Sequence, residues 1–181
     1  GLTLAALPAP DGILWNCPHV LTQKIAAPAF TAEVTLDARA LQIGEQAGFG
    51  LIGGQYAYIA LRRTTAGMRL VFVQSDGEAH QERVCEKIDA PAEQLALRMV
   101  LQPTGDDTAR AAFAYQHQGD WRRFGEPFSP ARHMAANVSS LSLAGPMVQT
   151  ILVFLMVMNG PFRRCGAPAP FPDAADVQRC G

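Results

Sequence analysis

The sequence is short of charge. Asp, Glu, Lys and Arg make up 17% of its 181 residues, against ~25% in ordinary globular domains. Its 15 basic and 16 acidic side chains nearly cancel, leaving a net charge of −1. Neither a cationic nucleic-acid binder nor an acidic solvating tail fits that balance. Long apolar runs are also missing. The longest covers residues 151–158, far below the ~20 residues a membrane helix needs. The first residues show no basic stretch followed by an apolar one, so no secretory signal is expected. Of the four cysteines, Cys17, Cys85, Cys165 and Cys180, none forms a C-x-x-C pair. Zinc knuckles and thioredoxin motifs are therefore not indicated, and reduced thiols in a cytoplasmic protein are the expectation. Helical periodicity is nearly absent, residues 90–94 being the best single turn. No repeat of propeller or solenoid length occurs.

What the sequence does have is a period of two. In residues 30–36, Phe30, Ala32, Val34 and Leu36 alternate with Thr31, Glu33 and Thr35, the pattern of a half-buried strand. Residues 56–62, 68–74, 95–101, 108–115, 121–124 and 138–143 also read as strands. Pro103 to Asp107 is expected to close the strand at 95–101. The apolar run 151–158 suits a buried strand. Turn signals recur every ~8–12 residues, which predicts an all-β, antiparallel sandwich or barrel in one domain. Its expected extent is residues 1–159. Residues 160–181, with four prolines and two cysteines, read as an irregular tail. A hydrophobic content of 49% with so little charge points to a face that another domain covers.

Chemical motifs are few. Gly48 to Gly53 spells G-x-G-x-x-G, but a dinucleotide site needs that loop between a strand and a helix. Here both flanks are strand-like, so a hairpin turning at Gly53-Gly54 is expected. The carboxylates are scattered, and none is assigned a catalytic role; a glycosidase needs two opposed across a sugar. Cys17-Pro18-His19 offers two soft ligands where structural zinc wants four. No catalytic residue, cofactor site or metal site is predicted. Trp121-Arg122-Arg123-Phe124 mixes aromatic and basic groups that could stack on a sugar.

Several segments, taken in order, resemble the C-terminal β-sandwich domain of family 43 glycoside hydrolases of the β-xylosidase type. Leu2-Thr3-Leu4 resembles its opening strand. Leu21 to Lys24, followed by Pro28 to Val34, resembles its "Q-R…F-T-A-E" segment. Gly44 to Leu51 with Gln55 to Leu61 resembles its "D-Q-A-G-L…Y-A-Y-L" hairpin, the most specific match. Trp121 with Phe124 to Phe128 resembles its "W…L-G" return. The resemblance covers roughly residues 2–144 and implies a concanavalin A-like jelly roll. The family's enzymes carry the acids for hydrolysis of xylosides and arabinosides in a five-bladed propeller before this domain.

The resemblance thus implies an accessory C-terminal domain, inactive alone, with a catalytic propeller as partner. Xylose or xylo-oligosaccharides and a second copy of the chain are further candidate partners; nucleic acid and membrane are not. The alternative is a free-standing lectin-like carbohydrate-binding module. Candidate sugar or propeller contacts are Trp15, Tyr56, Tyr58 and Trp121. The ending departs from the family. Residues 132–138 lack the aromatic that relatives offer toward the sugar pocket, and residues 147–156 are apolar where relatives carry Asp and aromatics. A shifted reading frame near Gly145 would account for the second difference, and the gene sequence decides it.

Overall fold

The computed structural model describes residues 2–9, 12–17, 20–24, 29–52, 55–75, 81–105, 108–129 and 152–159. Eleven strands appear among them: β1 (Leu7–Pro8), β2 (Val20–Lys24), β3 (Phe30–Asp37), β4 (Glu45–Ile52), β5 (Tyr56–Thr64), β6 (Gly67–Ser75), β7 (Glu82–Asp89), β8 (Gln94–Gly105), β9 (Thr108–His117), β10 (Asp120–Arg123) and β11 (Leu152–Asn159). A 3₁₀ turn spans Leu14–Asn16. No helix among the described residues is long and apolar enough to cross a membrane.

The strands form two sheets. The larger runs β1-β11-β4-β5-β6-β7, with β2 also paired to β11; the smaller runs β10-β9-β8-β3. Pairing is antiparallel except for the short β1–β11 contact. This is the predicted all-β sandwich. β3 shows why the sequence was readable: Thr31, Glu33, Thr35 and Asp37 are exposed, while Phe30, Ala32, Val34 and Leu36 are shielded. The core lies between the sheets. Phe49, Ile59, Leu61, Leu70 and Phe72 come from the larger one, Leu97, Met99 and Phe113 from the smaller. Phe72 meets Phe113 with ring centroids 5.5 Å apart, and Tyr115 meets Phe124 edge-on at 5.8 Å.

β5 is buried on both faces. Ala57, Ile59 and Leu61 point into the sandwich. Tyr56, Tyr58 and Ala60, on the opposite face, pack with Val71 and Val73 beneath Ala9 and Leu14 of the N-terminal segment. The segment thus acts as a third partial layer over the larger sheet.

Three expectations need correction. Residues 90–94 form no helical turn. The Ala90 N–H donates to Met68 O (3.0 Å) and the Ala38 N–H to Glu93 O (2.9 Å); those anchors hold the connection extended. The strand at 95–101 does not close at Pro103 but runs to Gly105, with a register shift there. Residues 82–89, not predicted as a strand, form β7. Its alternation is broken by a shift in pairing between Phe72 and Val73, as a bulge produces. The expected strand at 138–143, the turn at Gly53-Gly54 and the tail at 160–181 lie outside the described residues. The run at 151–158 supplies β11, which pairs with β4 along its length.

Candidate functional site

Three surfaces concentrate chemistry. The first lies under the N-terminal segment. Tyr56 and Tyr58 stand two residues apart on β5, so alternation puts both rings on one face. Their centroids are 6.4 Å apart and nearly parallel. Glu82 on β7 accepts from the Tyr56 hydroxyl (3.0 Å), the Tyr58 hydroxyl (2.7 Å) and the Leu14 N–H (2.7 Å). Gln46 Nε2 donates to the Tyr58 hydroxyl (3.2 Å), and Arg62 Nε donates to Gln46 Oε1 (2.9 Å). The Tyr56 N–H finds Ser75 Oγ at 2.9 Å. Burial pushes the Tyr58 phenol well above its ordinary pKa, and the Glu82 carboxylate adds to the shift. Both tyrosine hydroxyls donate to the carboxylate and fasten it. This network is saturated with internal bonds, and among the described residues no three His, Cys, Asp or Glu side chains stand together for a metal.

The second surface is an open cleft of about 910 Å³ between residues 2–6 and the β3–β4 connection. Leu4, Ala6, Val34, Leu36, Leu41 and Ala47 line it together with Asp37, Arg39 and Gln42. Leu2 on one wall is 63% exposed, and Ile43 beside the other is 66% exposed. At the rim, Arg39 Nε and the Arg39 N–H both donate to Asp37 Oδ1 (2.9 and 3.2 Å). Those hydrogen bonds lower the Asp37 pKa from 3.8 to about 2. A folded-state value below the unfolded one favours folding at high pH, and the contribution fades between 3.8 and about 2 as pH falls. An NMR titration should place the Asp37 midpoint near 2, and Arg39→Gln should return it toward 3.8. Both groups are exposed, so little stability is at stake.

The third surface is the outer face of the smaller sheet. Trp121 on β10 is half-buried, with the Arg98 guanidinium carbon 3.8 Å from its ring centroid. Glu33 holds that guanidinium in place by accepting from Nε (2.8 Å) and Nη2 (2.7 Å).

The predicted contacts are thus divided between the two sheets. Tyr56 and Tyr58 are fully buried beneath the segment that carries Trp15, which is itself 45% exposed. Trp121 lies on the other sheet. Sequence reasoning passed over Glu82, Gln46 and Arg62. Strand parity could have found Glu82, since it pairs two residues from Val84, which opposes Val73 beside Tyr58. β7 had not been read as a strand, so that parity was unavailable.

Comparison with known proteins gives the fold a setting. The family described as the β-xylosidase C-terminal concanavalin A-like domain matches residues 1–139. An engineered GH43 glycoside hydrolase with endo-xylanase and exo-arabinofuranosidase activity superposes with a TM-score of 0.64 at 20% identity, over 83% of this chain and 29% of that one. A bifunctional GH43 protein of Bacteroides eggerthii gives 0.65 at 16% identity, over 83% and 19%. A GH43 protein of Bacillus licheniformis gives 0.62 at 19%, over 86% and 29%. At such identities the likeness speaks for the fold. The chain spans less than a third of these neighbours. No curated protein matches it.

Proposed function

Because the chain belongs to the family of β-xylosidase C-terminal concanavalin A-like domains, we propose that it is an accessory domain of a glycoside hydrolase acting on xylosides or arabinosides. It docks against a catalytic domain and cleaves nothing alone. What supports this reading is the cleft between residues 2–6 and the β3–β4 connection, with Leu2 exposed on its wall and Ile43 exposed next to the lining residue Gln42 in sequence. A domain joined ahead of residue 2 would enter beside this cleft, since residues 2–6 form one of its walls. Interfaces between domains of one chain commonly bury apolar groups within a polar rim. Here Asp37, Arg39 and Gln42 supply the rim.

The first test is to read the DNA ahead of the codon for Leu2. A catalytic reading frame is expected there, and its absence overturns the proposal. The second is to express that domain separately and titrate the chain into it by sedimentation. A one-to-one complex is expected, weakened at least tenfold by Ile43→Arg; only self-association of the chain would count against docking. An aryl xyloside should be hydrolysed by the complex and not by the chain. Hydrolysis by the chain alone would end the reading.

A further inference from the structure

The outer face of the smaller sheet carries three arginines, Arg98, Arg110 and Arg123, that the docking reading does not use. Four arginines form ion pairs: Arg39 with Asp37, Arg63 with Glu93, Arg69 with Asp89 and, on this face, Arg98 with Glu33. Arg110 on β9 and Arg123 on β10 are exposed and form no ion pair among the described residues. Asp120 and Glu126, the carboxylates nearest Arg123 in sequence, do not pair with it.

Register places these groups together. Arg98 opposes Ala114 on one side and Arg123 opposes it on the other, so the three form a row across β8, β9 and β10. The two arginines stand about 9.5 Å apart in strand spacing. Arg110 lies four residues along β9 from Ala114, about 13 Å away on the same face. Trp121 opposes Gln116, one step beyond that row on the same face. Its ring carries the Arg98 guanidinium, whose Nε and Nη2 are turned to Glu33. Nη1 is left for another acceptor. The stacked pair is stiff and planar, and it needs little ordering to receive a ligand.

The exposed large apolar groups, Leu2, Trp15, Leu21 and Ile43, all lie outside this sheet face. A protein partner, which needs an apolar centre, is poorly served here. A nucleic acid would need several aromatic faces to stack successive bases on, and Trp121 is the one aromatic that strand parity places on this face among the described residues. A flat, hydroxyl-rich ligand carrying carboxylates matches what remains.

We infer that this face binds an acidic saccharide chain, with Arg98, Arg110 and Arg123 receiving uronate carboxylates and the Trp121–Arg98 stack bearing on a sugar ring. The site is independent of the docking cleft and of any catalytic partner.

The experiment uses the intact chain in affinity gels and calorimetry. Polygalacturonate is the probe, its methyl-esterified form the uncharged control, and a single-stranded oligonucleotide the non-saccharide polyanion. Polygalacturonate should bind at least tenfold more tightly than the ester and the oligonucleotide. The double variant Arg110→Gln/Arg123→Gln should lose at least tenfold of that affinity with its melting temperature unchanged. Absence of binding to polygalacturonate overturns the inference, as does equal binding of the ester. Full affinity in the double variant would overturn the placement. Equal binding of the oligonucleotide would reduce the face to a general polyanion surface and overturn the saccharide class.

Discussion

Replacing Glu82 by alanine should lower the unfolding free energy by about 3 kcal/mol, chiefly by orphaning donors at the edge of the sandwich. Three donors converge on this carboxylate: two tyrosine hydroxyls and the Leu14 N–H. Tyr56 and Tyr58 are fully buried, and Leu14 is 2% exposed. Water therefore reaches the freed donors only if the N-terminal segment lifts. A hydrogen bond to a charged acceptor contributes ~1.5–3 kcal/mol, and an orphaned buried donor costs ~1–3 kcal/mol. Glu82 is half-buried, so the sum is discounted. Glu82→Gln keeps an oxygen acceptor of the same reach and should cost about half as much. Urea unfolding measures the change, with the slope unchanged between variants if both remain two-state. Amide exchange at Leu14 should accelerate in Glu82→Ala before global unfolding, because the segment loses its tie to the sheet. A Glu82→Ala protein as stable as the parent would show that the segment is held by packing alone.

That network marks where the sequence stopped being legible. β3 could be read because one of its faces is wet, so alternation shows directly. The two-sided burial of β5 left no alternation. Its run Tyr56-Ala57-Tyr58-Ile59-Ala60-Leu61 identified a strand and gave no clue to what lay over each face. The covering layer is the N-terminal segment, and only tertiary structure reports it. Gly48 and Gly50 illustrate the same limit from the other side. Both lie in β4, paired with β5; the flanking strand patterns, and not the glycines, carry that reading. β7 stayed hidden because it is mostly charged and bulged. Glu82, Arg83, Glu86, Lys87 and Asp89 look like a solvated loop until pairing with β6 is seen. The family resemblance was readable in the β4–β5 hairpin, whereas the roles of Trp15 and Trp121 depend on surfaces that no local pattern specifies. The Trp121 ring is capped by Arg98, twenty-three residues earlier; that contact arises from strand order in the smaller sheet.

The same dependence on distant packing makes Gly125→Ala a strongly damaging small substitution. Gly125 follows Phe124, where the chain leaves β10 and turns back along β9. Its φ is +79°, in the left-handed region that side chains other than glycine adopt at a cost of ~1–2 kcal/mol. Its N–H donates to Glu86 at 2.9 Å, tying the edge of the smaller sheet to β7 of the larger. A β-carbon there would lie 2.6 Å from Phe72 Cε1 and closer still to Cδ1 and Cγ. Phe72 is fully buried and meets Phe113, so the ring cannot swing away without opening the core. Overpacking of this kind adds ~1–3 kcal/mol to the backbone strain. Together they predict a loss of about 3–4 kcal/mol, a large part of the stability of a domain this size. Phe72→Leu alone should be destabilising, since it removes a buried ring from the core. In the Gly125→Ala background it should cost much less, because the smaller side chain makes room for the added methyl group. A double-mutant cycle by urea unfolding reads that coupling directly. Additive losses would mean that the strain lies wholly in the backbone at residue 125 and that the close approach to Phe72 relaxes without penalty.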